Sequence, residues 1–183
     1  MDKIRIDFFD ILGYLVPGSA LLMVLWVFAD NQVISVWHIF PSLHKIDQKA
    51  LLLALLPAYI AGFMLHALGG ALYDLYLHKK IRKYVPSQFQ DNWAHIREYG
   101  GKHIAILERW YALRAFSQNL AAVSLIAGGV SIVKWWRYGH MEWLMAFLCL
   151  MALCFLALKR SEIFHRYLNE DIAAVLRLGL GNK

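Results

Sequence analysis

Apolar residues are gathered into four long stretches, Phe8–Ala29, Ala50–Leu77, Ala115–Val133 and Met141–Leu158, separated by polar segments. Lys, Arg and Glu stay out of their interiors. Crossing a hydrocarbon core of ~30 Å takes roughly 20 apolar helical residues, and each stretch meets that need. The pattern predicts an all-α polytopic membrane fold, with residues 1–183 forming one domain of four transmembrane helices. Pro17-Gly18 interrupts the first helix about midway, where a proline removes a backbone bond and favours a kink.

Helical periodicity also continues past the apolar stretches. Tyr73, Tyr76 and Ile81 carry the second helix on until Pro86 stops it. Gly100-Gly101 marks a break, and a new helix from about His103 leads through Ile104, Leu107, Tyr111 and Leu113 into the third stretch. After the fourth, Phe164, Tyr167, Leu168, Ile172, Val175 and Leu176 recur at helical spacing. Segments 78–114 and 159–178 are therefore expected to form a compact helical stem on the cytoplasmic side. The loop between the first two stretches, with Val33, Ile34, Val36, Trp37, Ile39 and Phe40, is apolar enough to lie on the outer leaflet.

Composition sharpens this picture. Of 183 residues 60% are apolar and only 17% charged. A soluble helical bundle would need a polar stripe on every helix, and Met141–Leu158 has none. No small-residue cleavage site follows the first stretch, which ends Trp26-Val27-Phe28-Ala29-Asp30, so that helix is expected to be retained. Cys149 and Cys154 lie inside the fourth stretch and read as small hydrophobes. With both termini cytoplasmic, fifteen Lys and Arg lie inside against four outside, eight of them in the second loop alone. That asymmetry fixes the orientation. Trp26, Trp37, Trp135, Trp136, Tyr138 and Trp143 then all fall at the outer ends, where amphipathic rings suit the headgroup layer. A pI near 9.4 follows from the same basic loops, so direct nucleic-acid binding is not expected.

The second helix repeats small or polar residues at every fourth position: Ala50, Ala54, Ala58, Gly62, His66, Gly70, Asp74 and His78. Small residues at this spacing admit another helix closely in lipid, where association relies on packing. The third helix offers Ala121, Ser124, Ala127, Gly128, Gly129 and Ser131. Helix or oligomer contacts are thus expected at Ala58, Gly62, Gly70, Ser124 and Gly128. The two stripes exceed what one four-helix protomer can use, which points to a homo-oligomer.

His66, Asp74 and Asn119, with Gln118 beside it, are polar groups at membrane depth, where such groups face a partner or a wet cavity. Two readings stand: hydrogen-bonding glue between helices, or a polar lining that senses protons through His66. The eight basic residues of the second loop can grip anionic membrane lipid or a partner, and Lys79, Lys80, Arg82, Lys83 and Trp93 make a candidate surface for a cytoplasmic protein, although topology explains the charges equally well. There is no H-E-x-x-H, C-x-x-C, G-x-S-x-G or phosphate-cradling glycine loop, so neither catalysis nor a metal or cofactor is expected.

The run Phe8-Phe9-Asp10-Ile11-Leu12-Gly13-Tyr14-Leu15-Val16-Pro17-Gly18, with the four-span layout, resembles the small membrane proteins of bacterial anti-phage defence, such as the Kiwa membrane subunits (the KwaA family). That resemblance implies a tetrameric homo-oligomer in the bacterial inner membrane that senses phage attack, with a soluble effector docked on its cytoplasmic face. It carries over no catalytic residue. The expected function is a non-enzymatic scaffold or sensor; the alternative is a pore-forming effector or small channel, which requires a polar stripe facing an oligomer axis.

Overall fold

The computed structural model describes residues 11–43, 47–77 and 104–180, and among these the chain is helical without strands. A π-helical turn, Ile11–Leu15, leads into α1 (Val16–Ala29), with Pro17 in its first turn. A short 3-10 turn, Val36–His38, and α2 (Ile39–Leu43) precede α3 (Gln48–Leu77), α4 (Ile104–Tyr138) and α5 (Met141–Leu180). A π-helical turn stands directly before Pro17, where the kink is expected. The onset of the third apolar helix near residue 103, and the unbroken run of the fourth into its tail, are as the periodicity predicts. Pro86, the Gly100-Gly101 break, Lys79, Lys80, Arg82, Lys83 and Trp93 lie outside the described residues.

Three helices, within Leu52–Leu77, Ile104–Tyr138 and Met141–Val175, are long and apolar enough to cross a membrane. The first apolar helix, Gly13–Ala29, is shorter. The outward surface fits a membrane protein: Leu53 and Leu75 are 78% and 79% exposed, with Leu56, Phe63, Met64, Met145 and Leu156 bare beside them. So many large apolar side chains left exposed fit a lipid-facing surface better than a watery one.

The central element is α4. Half of its apolar window is buried, against 22% for α3 and for α5. Its inner sequence accordingly reads small or polar, with Ser117, Gln118, Asn119, Ala121, Ala122 and Ser124 all buried. Side chains of α1 and α3 close around Ala122 and Val123, while Cys154 and Ala157 of α5 pack on Ala121. A two-residue link, Gly139 and His140, joins α4 to α5. Gly139 has φ of 69° and caps α4 by donating its N–H to the Trp135 carbonyl at 2.7 Å, a left-handed helix end that glycine adopts without a Cβ penalty.

Beyond the apolar section α4 and α5 stay paired. Leu107, Leu168 and Ile172 form a separate buried cluster, flanked by Ile104, Trp110 and Val175. The Trp110 ring stacks on Phe164 at 5.9 Å, and its indole N–H donates to Asp171 at 2.8 Å. This paired segment is called the stem below, and the opposite end of the bundle the loop end.

Candidate functional site

Two backbone approaches define how α1 meets α3. A Cβ built on Gly18 would sit 1.7 Å from the Ala58 carbonyl oxygen, and one built on Gly62 would sit 1.9 Å from the Tyr14 carbonyl oxygen. Both neighbours are backbone, which cannot swing aside. Gly69 makes the corresponding approach to α4, with a notional Cβ 2.7 Å from the Gln118 carbonyl. Of the residues expected at helix contacts, Ala58 and Gly62 therefore lie at crossings within the protomer. Ser124 is buried on α4, and Gly128 faces Met151 and Phe147 of α5 at ordinary contact distance. Gly70 has nothing within 4 Å. Gly69, which the four-residue spacing passes over, is the small residue that meets α4.

A buried hydrogen bond lies beside this crossing. In an α-helix the Gly13 carbonyl would receive the N–H of residue 17, but residue 17 is Pro17 and has none. The Asn119 side-chain amide, itself fully buried, donates to that carbonyl at 2.7 Å. A proline within an apolar helix is tolerated where a neighbouring helix satisfies the freed backbone group in this way. Asn119 is thus an interhelical clamp on the π-helical turn. His66 stands next to the same turn, its ring edge-on to Tyr14 at 5.9 Å, and its Nδ1 is buried without a hydrogen-bond partner. Asp74 is exposed on α3, away from the face that holds Ala58, Leu65, Gly69 and Tyr73. Of the three polar residues expected to share one lining, His66 and Asn119 both stand at this turn, and Asp74 lies on another face of α3.

Other polar groups of the bundle are consumed locally. Ser117 and Ser131 hydroxyls donate to the carbonyls of Leu113 and Ala127, one turn back on their own helix. At the loop end, the Lys134 ammonium is only 3% exposed and donates to the Asp30 carbonyl at 2.8 Å and the Val33 carbonyl at 3.3 Å. The Trp143 indole donates to the Ile34 carbonyl at 2.7 Å, and the Ser35 hydroxyl donates to Glu142. The loop after α1 is therefore sewn onto α4 and α5, with Val33 fully buried and Trp37 and Phe40 left 65% and 62% exposed. Trp143, expected among the interfacial rings, is instead a core residue at 3% exposure, because its indole N–H finds a carbonyl inside. Trp136 is 87% exposed.

Among the described residues no three His, Cys, Asp or Glu side chains gather to hold a metal ion. Cys149 and Cys154 are free thiols. No protein-family model, curated protein or solved structure matches the chain.

Proposed function

We propose that this protein is a non-enzymatic scaffold or sensor of a bacterial inner membrane, which assembles with copies of itself and recruits a cytoplasmic protein, in the manner its resemblance to anti-phage defence proteins implies. In this reading α1 is a fourth span, both termini are cytoplasmic, and the stem projects into the cytoplasm. One observation carries it: α5 is a single helix of 40 residues. At 1.5 Å per residue it is about 60 Å long, roughly twice the ~30 Å hydrocarbon core. It therefore connects the loop end to the stem without a joint, and α4 runs beside it for most of that length. A displacement imposed on the loop through Lys134, Glu142 or Trp143 is delivered to the stem by two packed helices rather than by a flexible linker.

The stem is built to hold its shape in water. Removing Leu107, Leu168 and Ile172 from solvent stabilises the pair by about 1.5–3 kcal/mol per side chain. Deleting the tail from Asn169 would take out Ile172 and Asp171, and would destroy the stem as well as any docking surface. The informative variants are on the outer face, where Ile106 is 48% and Tyr111 40% exposed. Ile106→Gln with Tyr111→Gln adds no charge, so topology is preserved. It is expected to abolish co-purification of the soluble partner while membrane insertion and helix content stay at the wild-type level. Full partner recovery, or ion flux from vesicles holding the purified protein alone, would favour the pore reading. The latter requires a polar axis that the internally bonded Asn119, Ser117 and Ser131 do not supply.

Topology has its own check. Reporters fused after Tyr84 and after Lys183 are expected to be cytoplasmic, and one near Ser42 external. An external reporter at Tyr84 would overturn both the span count and the stem's location.

A further inference from the structure

Where α3, α4 and α5 meet, at the point from which the stem leaves the bundle, four buried hydrogen-bonding atoms have no partner: Tyr73 Oη, Arg114 Nε, Gln118 Nε2 and Ser161 Oγ. Tyr73, Gln118 and Ser161 are 1%, 3% and 0% exposed. They lie on neighbouring turns of the three helices. The Arg114 guanidinium lies 5.3 Å from the centre of the Tyr73 ring, and that ring meets His165 edge-on at 6.1 Å. Gln118 is one turn along α4 from Arg114, and Ser161 is one turn along α5 from His165. The Arg114 charge acts on both Tyr73 and His165.

The chemistry of the set is one-sided. Arg Nε–H and the glutamine amide nitrogen can only donate, and both hydroxyls can donate as well. Of the nearby carboxylates, Glu162 accepts from the Tyr76 hydroxyl at 3.4 Å, Asp171 accepts from Trp110 at 2.8 Å and Asp74 is exposed; Glu162 and Asp74 act on Tyr73 through space, and no hydrogen bond joins any of them to the four donors. Leaving buried donors unpaired beside a half-buried cation is costly, so the arrangement calls for an anion. Guanidinium with flanking neutral donors is the usual recognition set for an oxyanion. Arg114 borders the apolar stretch 115–133, Tyr73 lies one turn from the end of 50–77, and Ser161 follows 141–158. That is the depth of lipid headgroups, where basic pockets between helices take anionic ones.

We propose that the α3–α4–α5 junction binds a phosphate-type oxyanion, with the Arg114 guanidinium supplying charge and the Tyr73 hydroxyl, Gln118 amide and Ser161 hydroxyl supplying directed donors. The site does not depend on the scaffold reading.

Purified, delipidated protein in mild detergent is titrated with phosphatidylglycerol in mixed micelles, and separately with inorganic phosphate in phosphatidylcholine micelles, while melting and bound mass are followed. One phosphatidylglycerol per protomer, with raised melting and no response to inorganic phosphate, assigns a lipid headgroup. A response to inorganic phosphate assigns a free anion. In either case Tyr73→Phe, which keeps the ring under Arg114, and Ser161→Ala should each weaken binding about tenfold, the loss of one hydrogen bond to a charged group. Arg114→Gln should lose it entirely. If neither probe binds the wild type, or if Tyr73→Phe and Ser161→Ala bind as tightly as wild type, the proposal is wrong.

Discussion

Gly18→Ala and Gly62→Ala are each expected to destabilise the folded protein by about 3 kcal/mol or more, near the upper end for overpacking. The added methyl in each case lands under 2 Å from a carbonyl oxygen of the facing helix. Relief requires moving a whole helix, which would also disturb the Asn119 clamp one turn away. Gly70→Ala supplies the contrast on the same helix, since open space surrounds that Cβ. There the substitution should stabilise by about 1 kcal/mol, the ordinary helical preference of alanine over glycine. Unfolding in detergent, followed by helix content, reads all three. A mild effect at Gly18 or Gly62 would mean that α1 and α3 cross at greater distance than described. Gly70→Leu then becomes the clean probe of self-assembly, because it leaves the protomer's own crossings intact.

The second large effect concerns Asn119. Asn119→Ala removes the side-chain donor to the Gly13 carbonyl, and the loss of a buried partner costs about 1–3 kcal/mol. The cause can be isolated with Pro17→Ala, which restores an N–H at the position an α-helix uses for that carbonyl. In the Pro17→Ala background, Asn119→Ala should cost clearly less, giving a coupling of about 1 kcal/mol or more in a double-mutant cycle. Strict additivity across the cycle would show that Asn119 is held for a reason other than the proline.

What could be read in the sequence divides along physical lines. The starts and continuity of α4 and α5 are legible because apolar periodicity runs through them without a proline, and Gly128-Gly129 does not interrupt it. The contact face of α3 is only half legible. A four-residue spacing advances about 40° more than one helical turn, so a stripe that begins correctly at Ala58 and Gly62 drifts off the face by Gly70 and Asp74. Seven residues make nearly two full turns, which is why Gly69 rather than Gly70 meets α4. Interfacial and buried tryptophans cannot be distinguished by position alone, and Trp143 is placed by a carbonyl of the preceding loop. The pairing of Asn119 with Gly13 crosses 106 residues, yet a signal existed in the composition. A proline in one apolar helix leaves one carbonyl in need of a donor, and the amide pair Gln118-Asn119 in another helix holds a group that can supply it.

The same pairing sets a condition on how the protein is made. Ribosomes deliver the Gly13 carbonyl 106 residues before the amide that completes it, an interval of roughly 5–20 s at ordinary rates of synthesis. Over that interval the newborn α1 and α3 can already close on each other through Gly18 and Gly62, since both are complete. The Gly13 carbonyl still lacks its Asn119 donor, and an under-bonded carbonyl in hydrocarbon is costly. The nascent chain must therefore keep that carbonyl against water or against the insertion machinery until α4 arrives. The last polar bond of the first helix is closed by the middle of the chain, and the order of translation makes α4 the step that commits the bundle.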